Sequence, residues 1–221
     1  MGNRLEGKVA IVTGAGAAGD GIGNGRAAAI LFAREGAQVL LVDRKRELAE
    51  ATQAMIAAEG GEAVAFEADV TKSDDCRAMV SAAVAQWGKL DILQNNVGIG
   101  GAGRVPDVDE EAWERVMRVN VTSMMLAAKH AIPAMVASGG GAIVNISSIA
   151  ALRPRGLTPY ATSKGAVEAL TRGLAADHAR DEVHRAVAAM EPQHVGRTPP
   201  PHDRADPRDE FGEREGLHEV V

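Results

Sequence analysis

Aromatic residues make up only 3% of the 221-residue chain, and just one of them, Tyr160, is a tyrosine. Any phenol chemistry therefore falls on that side chain. Cysteine is as scarce. Cys76 stands alone, which excludes an internal disulfide and a cysteine-built zinc cluster. Positive charge is in deficit: a formal net charge of −6 argues against general affinity for nucleic acid or an anionic membrane. No apolar run approaches the roughly 18–20 residues needed to span a bilayer. The opening residues Met1 to Gly7 lack the apolar stretch of a secretion signal. A cytoplasmic location is the expectation. What is abundant is aliphatic material. Hydrophobic residues account for 46% of the chain, enough to bury one substantial core.

Apolar runs and helical patterns alternate along the first 180 residues. Strands are predicted at 8–13, 38–42, 63–66, 90–93 and 142–146. Helices are predicted at 26–34, 46–59, about 73–87, one or two within 109–137, and 158 to about 180. Strict alternation implies parallel strands joined by crossovers, so a doubly wound α/β sheet of the Rossmann type is expected. In such sheets ligands bind beyond the carboxyl ends of the strands. The chemically informative residues fall there: a glycine loop after strand one, Asp43 after strand two, Asp69 after strand three, Asn95-Asn96 after strand four and Ser147-Ser148 after strand five.

Thr13-Gly14-Ala15-Gly16-Ala17-Ala18-Gly19-Asp20-Gly21-Ile22-Gly23 joins the first strand to the first helix. Glycines let backbone N–H groups approach a pyrophosphate at a helix N-terminus. The alternative is a plain surface loop. Gly21-Ile22-Gly23 is read as the entry to the helix. Asp43 can accept hydrogen bonds from an adenosine ribose and would repel a 2′-phosphate, favouring NAD. Arg44 and Lys45 leave NADP open, and Asp43 could equally cap the next helix. Asp69-Val70 suits an adenine edge or a simple turn. Asn120 lies between apolar neighbours in a helical stretch and must find polar partners there. Tyr160 and Lys164, four apart, share a helix face. An ammonium beside a phenol favours the phenolate, giving a proton donor or acceptor; the alternative is a surface pair.

Taken together, the TGxxxGxG-type loop, Asp43, Asp69-Val70, Asn95-Asn96-Val97-Gly98, Asn120, Ser148 and Tyr160-x-x-x-Lys164 resemble the short-chain dehydrogenase/reductase family over residues 5–180. The glycine loop is longer by about three residues. The resemblance implies hydride transfer between a secondary alcohol and NAD(P)⁺. It implies Tyr160 as general acid/base and Lys164 as its activator and a ribose ligand. It implies Ser148, ahead of Ser147, on the substrate oxygen, and Asn120 in a water-linked proton relay. It implies Gly14, Ile22, Gly23, Asp43, Asp69, Val70 and Asn96 along the dinucleotide, with Tyr160 and Lys164 also touching it. The partner is a small alcohol or carbonyl compound, and a homodimer would pair through the helices near 109–137 and 158–180.

Composition shifts near residue 181. Residues 181–221 hold ten acidic and five basic residues, five of the nine prolines and four of the six histidines. The sequence divides accordingly into a catalytic domain, 1–180, and a Pro- and charge-rich tail, 181–221, expected to be disordered. Regular sixth and seventh strands are expected to be lacking, with 186–190 a poor strand or helical turn. An altered reading frame would explain the shift. The four tail histidines read as solvated, with no metal implied. Loss of the sixth strand would expose the edge of the fifth, and the substrate-covering loop and part of the nicotinamide contact would be missing with it, so weakened stability and reduced turnover are expected. The alternative function is therefore a dinucleotide-binding pseudoenzyme or an interaction partner.

Overall fold

A computed structural model describes residues 3–17, 21–154, 156–181 and 183–190. Six parallel strands form one sheet in the order β3-β2-β1-β4-β5-β6. They are β1 Val9–Thr13, β2 Gln38–Asp43, β3 Ala63–Glu67, β4 Ile92–Asn95, β5 Gly141–Ser148 and β6 Val183–Met190. The helices are α1 Asn24–Arg34, α2 Arg46–Ala58, α3 Ser73–Trp87, α4 Glu110–Met117, α5 Ser123–Ala137 and α6 Thr158–Asp177. The doubly wound sheet is as the alternation predicts. The strand order reverses between β1 and β4, which opens the ligand-binding crevice there.

β1 is buried along its whole length. Its side chains alternate between two cores. Val9 and Ile11 join Leu93, Met79 and Ile143 on the α3/α5 face. Val12 joins Val39, Leu41, Ala29 and Ile56 on the α1/α2 face. A strand covered on both sides reads as an unbroken aliphatic run, which is how Val-Ala-Ile-Val appears in the sequence.

The sixth strand corrects the sequence reading. β6 pairs in parallel with β5 over eight positions, from Gly141↔Val183 to Ser148↔Met190. An alanine-rich segment has weak intrinsic strand preference. The free edge of β5 offers a row of unpaired backbone donors and acceptors, and tertiary pairing outweighs that local weakness. Val183 is buried in the α3/α5 core. The edge of β5 that carries Ser148 is thus covered, so an exposed fifth strand is no longer a reason to expect an impaired enzyme; the substrate-covering region expected after it lies outside the described residues. The expected seventh-strand region and the histidines beyond His184 lie outside the described residues.

The long helical stretch is also subdivided. Between α4 and α5, Arg118–Thr122 forms a π-helical turn with Asn120 inside it. Such turns shift a helix by part of a turn and recur at functional sites. Among the described residues no helix is long and apolar enough to cross a membrane, and no acidic, histidine or cysteine cluster could hold a metal.

Candidate active site

The glycine loop leaves β1 with a left-handed Gly14, φ +64°. Thr13 ties this corner to β4: its hydroxyl accepts from Asn96 N at 3.1 Å and donates to Gln94 O at 3.3 Å. Asn96 Nδ2 donates to Gly14 O at 3.3 Å. α1 is entered through Gly21-Ile22-Gly23, as read, but the glycine it packs on lies further along. Gly23 is its N-cap, Asn24 its first residue, and Ile22 is 62% exposed. The glycine the packing requires is Gly25, where a Cβ would lie 2.0 Å from Gly14 O; at Gly23 the nearest atom would be Ala17 Cβ at 3.5 Å. Helix and turn touch backbone to backbone at Gly25. The glycine pair at the helix start is therefore Gly23-Asn24-Gly25. A TGxxxGxG loop places its last glycine seven positions after the threonine. Here it comes twelve after Thr13 (25 − 13), so the loop is longer by five residues rather than three.

Beyond the carboxyl ends of β1 to β4 lies a cavity of about 300 Å³. Gly14, Asp43, Asp69, Val70 and Asn96, all expected along the dinucleotide, line it. Ile22 and Gly23 do not belong to its wall. Gly16, which the sequence reading left without a role, does line it. Asp43 Oδ2 accepts from Gly16 N at 3.0 Å, and Oδ1 accepts from Lys45 N at 3.1 Å. The Asp43 carboxylate thus joins loop and strand ends, while the N-cap of α2 is Lys45. A Cβ on Gly16 would lie 2.7 Å from Asp43 Oδ2, so only glycine permits this approach. Asp69 Oδ1 accepts from both the amide and hydroxyl of Thr71, the turn foreseen as its alternative role. Burial pushes the Asp69 carboxyl upward, but the two Thr71 hydrogen bonds and nearby Lys72 and Arg44 outweigh it, so its pKa is lowered.

At the other end of the crevice, Gly98 connects the cavity to the candidate catalytic groups. A Cβ there would lie 3.2 Å from Lys164 Nζ and 3.5 Å from Asn120 Oδ1. Asn120 is fully buried. Its Oδ1 accepts from Ile99 N at 2.7 Å, and its Nδ2 donates to Ile99 O and Ser163 Oγ, both at 2.9 Å. Three of its four hydrogen-bonding positions are thus used, and one Oδ1 lone pair remains. The buried polar partners required of a mid-helix asparagine are the turn after β4 and the residue beside Lys164.

Lys164 is only 3% exposed. Its Nζ donates to Ile146 O at 2.8 Å and sits 5.7 Å from the centroid of the Tyr160 ring. Tyr160, on the first turn of α6, is half-buried. The structure therefore brings Tyr160, Lys164 and Asn120 to one region, with β5 beneath. Ser147 and Ser148 end β5 on opposite faces. Ser147 Oγ donates to Lys164 O at 3.0 Å and lies 3.2 Å from Glu168 Oε1, so it is committed to α6. Ser148 Oγ accepts from Ala150 N at 3.2 Å and retains its own proton to donate. Strand alternation separates the two serines, as a period of two demands.

Desolvation lowers the Lys164 pKa from 10.5 to about 8. The folded state therefore binds fewer protons than the unfolded chain between those values, and stability rises with pH there. Below pH 8 the cost of burying an ammonium is fully present; it is relieved as pH climbs toward 10.5. Relative to Lys164→Met, the native chain is expected to gain about 2 kcal/mol between pH 7.5 and 9.5. Urea unfolding of both proteins at the two pH values checks this, and a constant difference would refute it.

Comparison with known proteins places this geometry. The family model for short chain dehydrogenase matches residues 8–205. 2-(S)-hydroxypropyl-CoM dehydrogenase 3 of Xanthobacter autotrophicus is 45% identical over 180 residues, covering 80% of this chain and 68% of that protein. Cyclohexanol dehydrogenase of Acinetobacter sp. is 36% identical over 181 residues, covering 81% and 70%. The structure of 7α-hydroxysteroid dehydrogenase, solved with NADH and 7-oxo glycochenodeoxycholic acid, superposes with a TM-score of 0.79 at 36% identity, covering 84% of this chain and 71% of that one. The family match thus runs beyond residue 180.

Proposed function

The chain belongs to the short-chain dehydrogenase family, a family of NAD(P)-binding oxidoreductases acting on CH–OH and C=O groups, and from that premise we propose its reaction: interconversion of a secondary alcohol and a ketone with NAD, using Tyr160 as the general acid/base. One observation carries the reading. The buried Lys164 ammonium stands beside the Tyr160 ring on one side and against Gly98, at the cavity wall, on the other.

The residues present fit a dinucleotide. Gly14 and Gly16 leave the cavity floor free of side chains: a Cβ on Gly16 would collide with Leu48 and Asp43, and one on Gly14 would sit tightly against Asn96 and Val97 on a left-handed backbone. Asp43 and Asp69 provide acceptors for hydroxyl and amino groups at the adenosine end. When bound, the nicotinamide supplies the hydride acceptor. The chain's own residues handle the proton. Ser148 holds the substrate oxygen through its hydroxyl hydrogen. Tyr160 Oη, as phenolate, takes the proton from the alcohol while the carbon gives up its hydride. Lys164 stabilises the phenolate electrostatically. Asn120 Oδ1, with one lone pair unused, and Lys164 Nζ both lie beside Gly98, so a water between them would link Lys164 toward solvent. The reverse direction returns the proton from Tyr160 to the alkoxide.

Asp43 favours NAD over NADP, because a 2′-phosphate would meet a carboxylate already held by Gly16 N and Lys45 N. Such like-charge juxtaposition costs several kcal/mol, so kcat/KM for NAD⁺ is expected to exceed that for NADP⁺ by roughly tenfold or more. Assays with a panel of secondary alcohols and both cofactors test this. Equal efficiency would refute the preference; no turnover with any alcohol or ketone would refute the reaction.

A further inference from the structure

Arg26, in the first turn of α1, is only 4% exposed and takes no part in the chemistry described above. Its hydrogen bonds go to one place. Nη2 donates to Ala17 O at 3.3 Å and Nη1 to Gly21 O at 3.2 Å. Nε donates to Thr52 Oγ1 at 3.0 Å. Thr52, on α2 and fully buried, in turn donates to Ala15 O at 2.8 Å. Three carbonyls of the glycine loop, at Ala15, Ala17 and Gly21, thus converge on one arginine–threonine pair. Ala17 and Gly21 lie on either side of the inserted segment, so both legs of the long loop are tied to a common point.

The described peptide bonds are all trans, and a trans peptide directs its N–H opposite to its carbonyl. A carbonyl drawn toward Arg26 or Thr52 therefore turns the next N–H to the loop's other side. Gly16 obeys this rule: Ala15 O faces Thr52, and Gly16 N reaches Asp43 in the cavity wall. The same constraint applies to Ile22 N behind Gly21 O. Holding the two legs of the loop in place before a ligand arrives removes part of the ordering cost of binding. A loop longer by five residues has more of that cost to remove.

We infer that Arg26, steadied by Thr52, is a positioning residue for the dinucleotide's pyrophosphate, acting by fixing the long glycine loop rather than by touching the ligand. The inference rests on the proposed reading of that loop as the pyrophosphate cradle. A geometric role makes specific demands. Arg26→Lys keeps the charge, but one ammonium cannot reproduce the fork that serves two carbonyls and Thr52 together. Thr52→Ser keeps the hydroxyl relay, whereas Thr52→Val removes it.

The test uses the full chain and calorimetric or NMR titrations with NADH, ADP-ribose and adenosine, alongside thermal unfolding of each variant. Arg26→Met is expected to weaken NADH and ADP-ribose by about tenfold or more while adenosine changes less than about twofold, because only the first two need an ordered cradle. Arg26→Lys is expected to stay well below the native affinity. Thr52→Val should lose affinity for the same two ligands, and Thr52→Ser should retain it. The double variant Arg26→Met/Thr52→Val should bind no more weakly than Arg26→Met alone, as expected of two parts of one brace. Parallel weakening of adenosine would reduce Arg26 to a general structural role and overturn the inference, as would unchanged NADH affinity. If Arg26→Met does not fold, the Thr52 pair decides: equal NADH affinity for valine and serine there overturns it. A native chain that binds neither NADH nor ADP-ribose would remove the cradle reading itself; native binding unaffected by these substitutions would remove this inference alone.

Discussion

Tyr160→Phe is expected to lower kcat by about a thousandfold, the middle of the range for loss of a general acid/base, while NADH affinity stays within about threefold. The substitution removes one oxygen and keeps the ring. Lys164 Nζ, 5.7 Å from that ring, keeps its hydrogen bond to Ile146 O. Ser163 Oγ donates to the Tyr160 backbone carbonyl, a bond that phenylalanine preserves. Neither the α6 turn nor the Asn120 clamp depends on the hydroxyl. The chain contains no second tyrosine to substitute for it. A drop confined to kcat would therefore report the phenol's proton. Turnover within about twofold of native would sink the assignment of Tyr160. A comparable fall in unfolding temperature would attribute the loss to folding instead.

Much of this arrangement was legible in the residues. Alternation of apolar runs with helical patterns gave the parallel sheet, because burial on both faces leaves β1 aliphatic up to Thr13 at its carboxyl end. Asp43, Asp69 and Asn96 were legible because each sits at or just past the carboxyl end of a strand, and the end of a parallel strand is where the crevice opens. β6 was not legible. Its segment is short of β-branched residues, and what holds it is the unpaired edge of β5, more than thirty positions earlier in the sequence. Arg26 and Thr52 were hidden for a related reason. Each looks unremarkable on its own helix, and their shared task exists only once α1 and α2 lie side by side. Ser163 was missed because its partner, Asn120, is 43 positions away. Gly25 and Gly16 carried a detectable signal. Gly23-Asn24-Gly25 repeats the Gly-x-Gly spacing of Gly21-Ile22-Gly23 two residues later. Choosing between the two pairs required knowing where the helix meets the turn.

That choice gives the second large prediction. Gly25→Ala is expected to lower the unfolding temperature by about 5–10 °C and to weaken NADH by about a hundredfold or more, while Gly23→Ala does neither. Local propensity alone argues the reverse. Gly25 lies inside α1, where alanine is favoured over glycine by about 1 kcal/mol. Packing opposes this. The added Cβ would sit 2.0 Å from Gly14 O and 2.6 Å from Asn96 Nδ2. The first is backbone at a left-handed corner, and the second is an amide already bonded to that same carbonyl. Neither can move without opening the turn between β1 and α1. Overpacking of this kind costs roughly 1–3 kcal/mol or more; for a backbone contact at the upper part of that range, less the propensity gain of about 1 kcal/mol, the net loss is about 2 kcal/mol or more. At about 2–4 °C per kcal/mol for a chain of this size, that net loss gives the expected shift. The binding loss is expected to be larger, because the displaced residues, Gly14 and Asn96, line the cavity proposed to hold the dinucleotide. Gly23 is the control. Its φ of −67° suits any residue, and its Cβ would meet Ala17 Cβ at 3.5 Å and Gly16 O at 3.9 Å, both ordinary contacts. Thermal unfolding and NADH titration of the two variants together locate the required glycine. Equal tolerance at both positions would mean that α1 does not press on Gly14, and equal damage would return the helix start to Gly21-Ile22-Gly23.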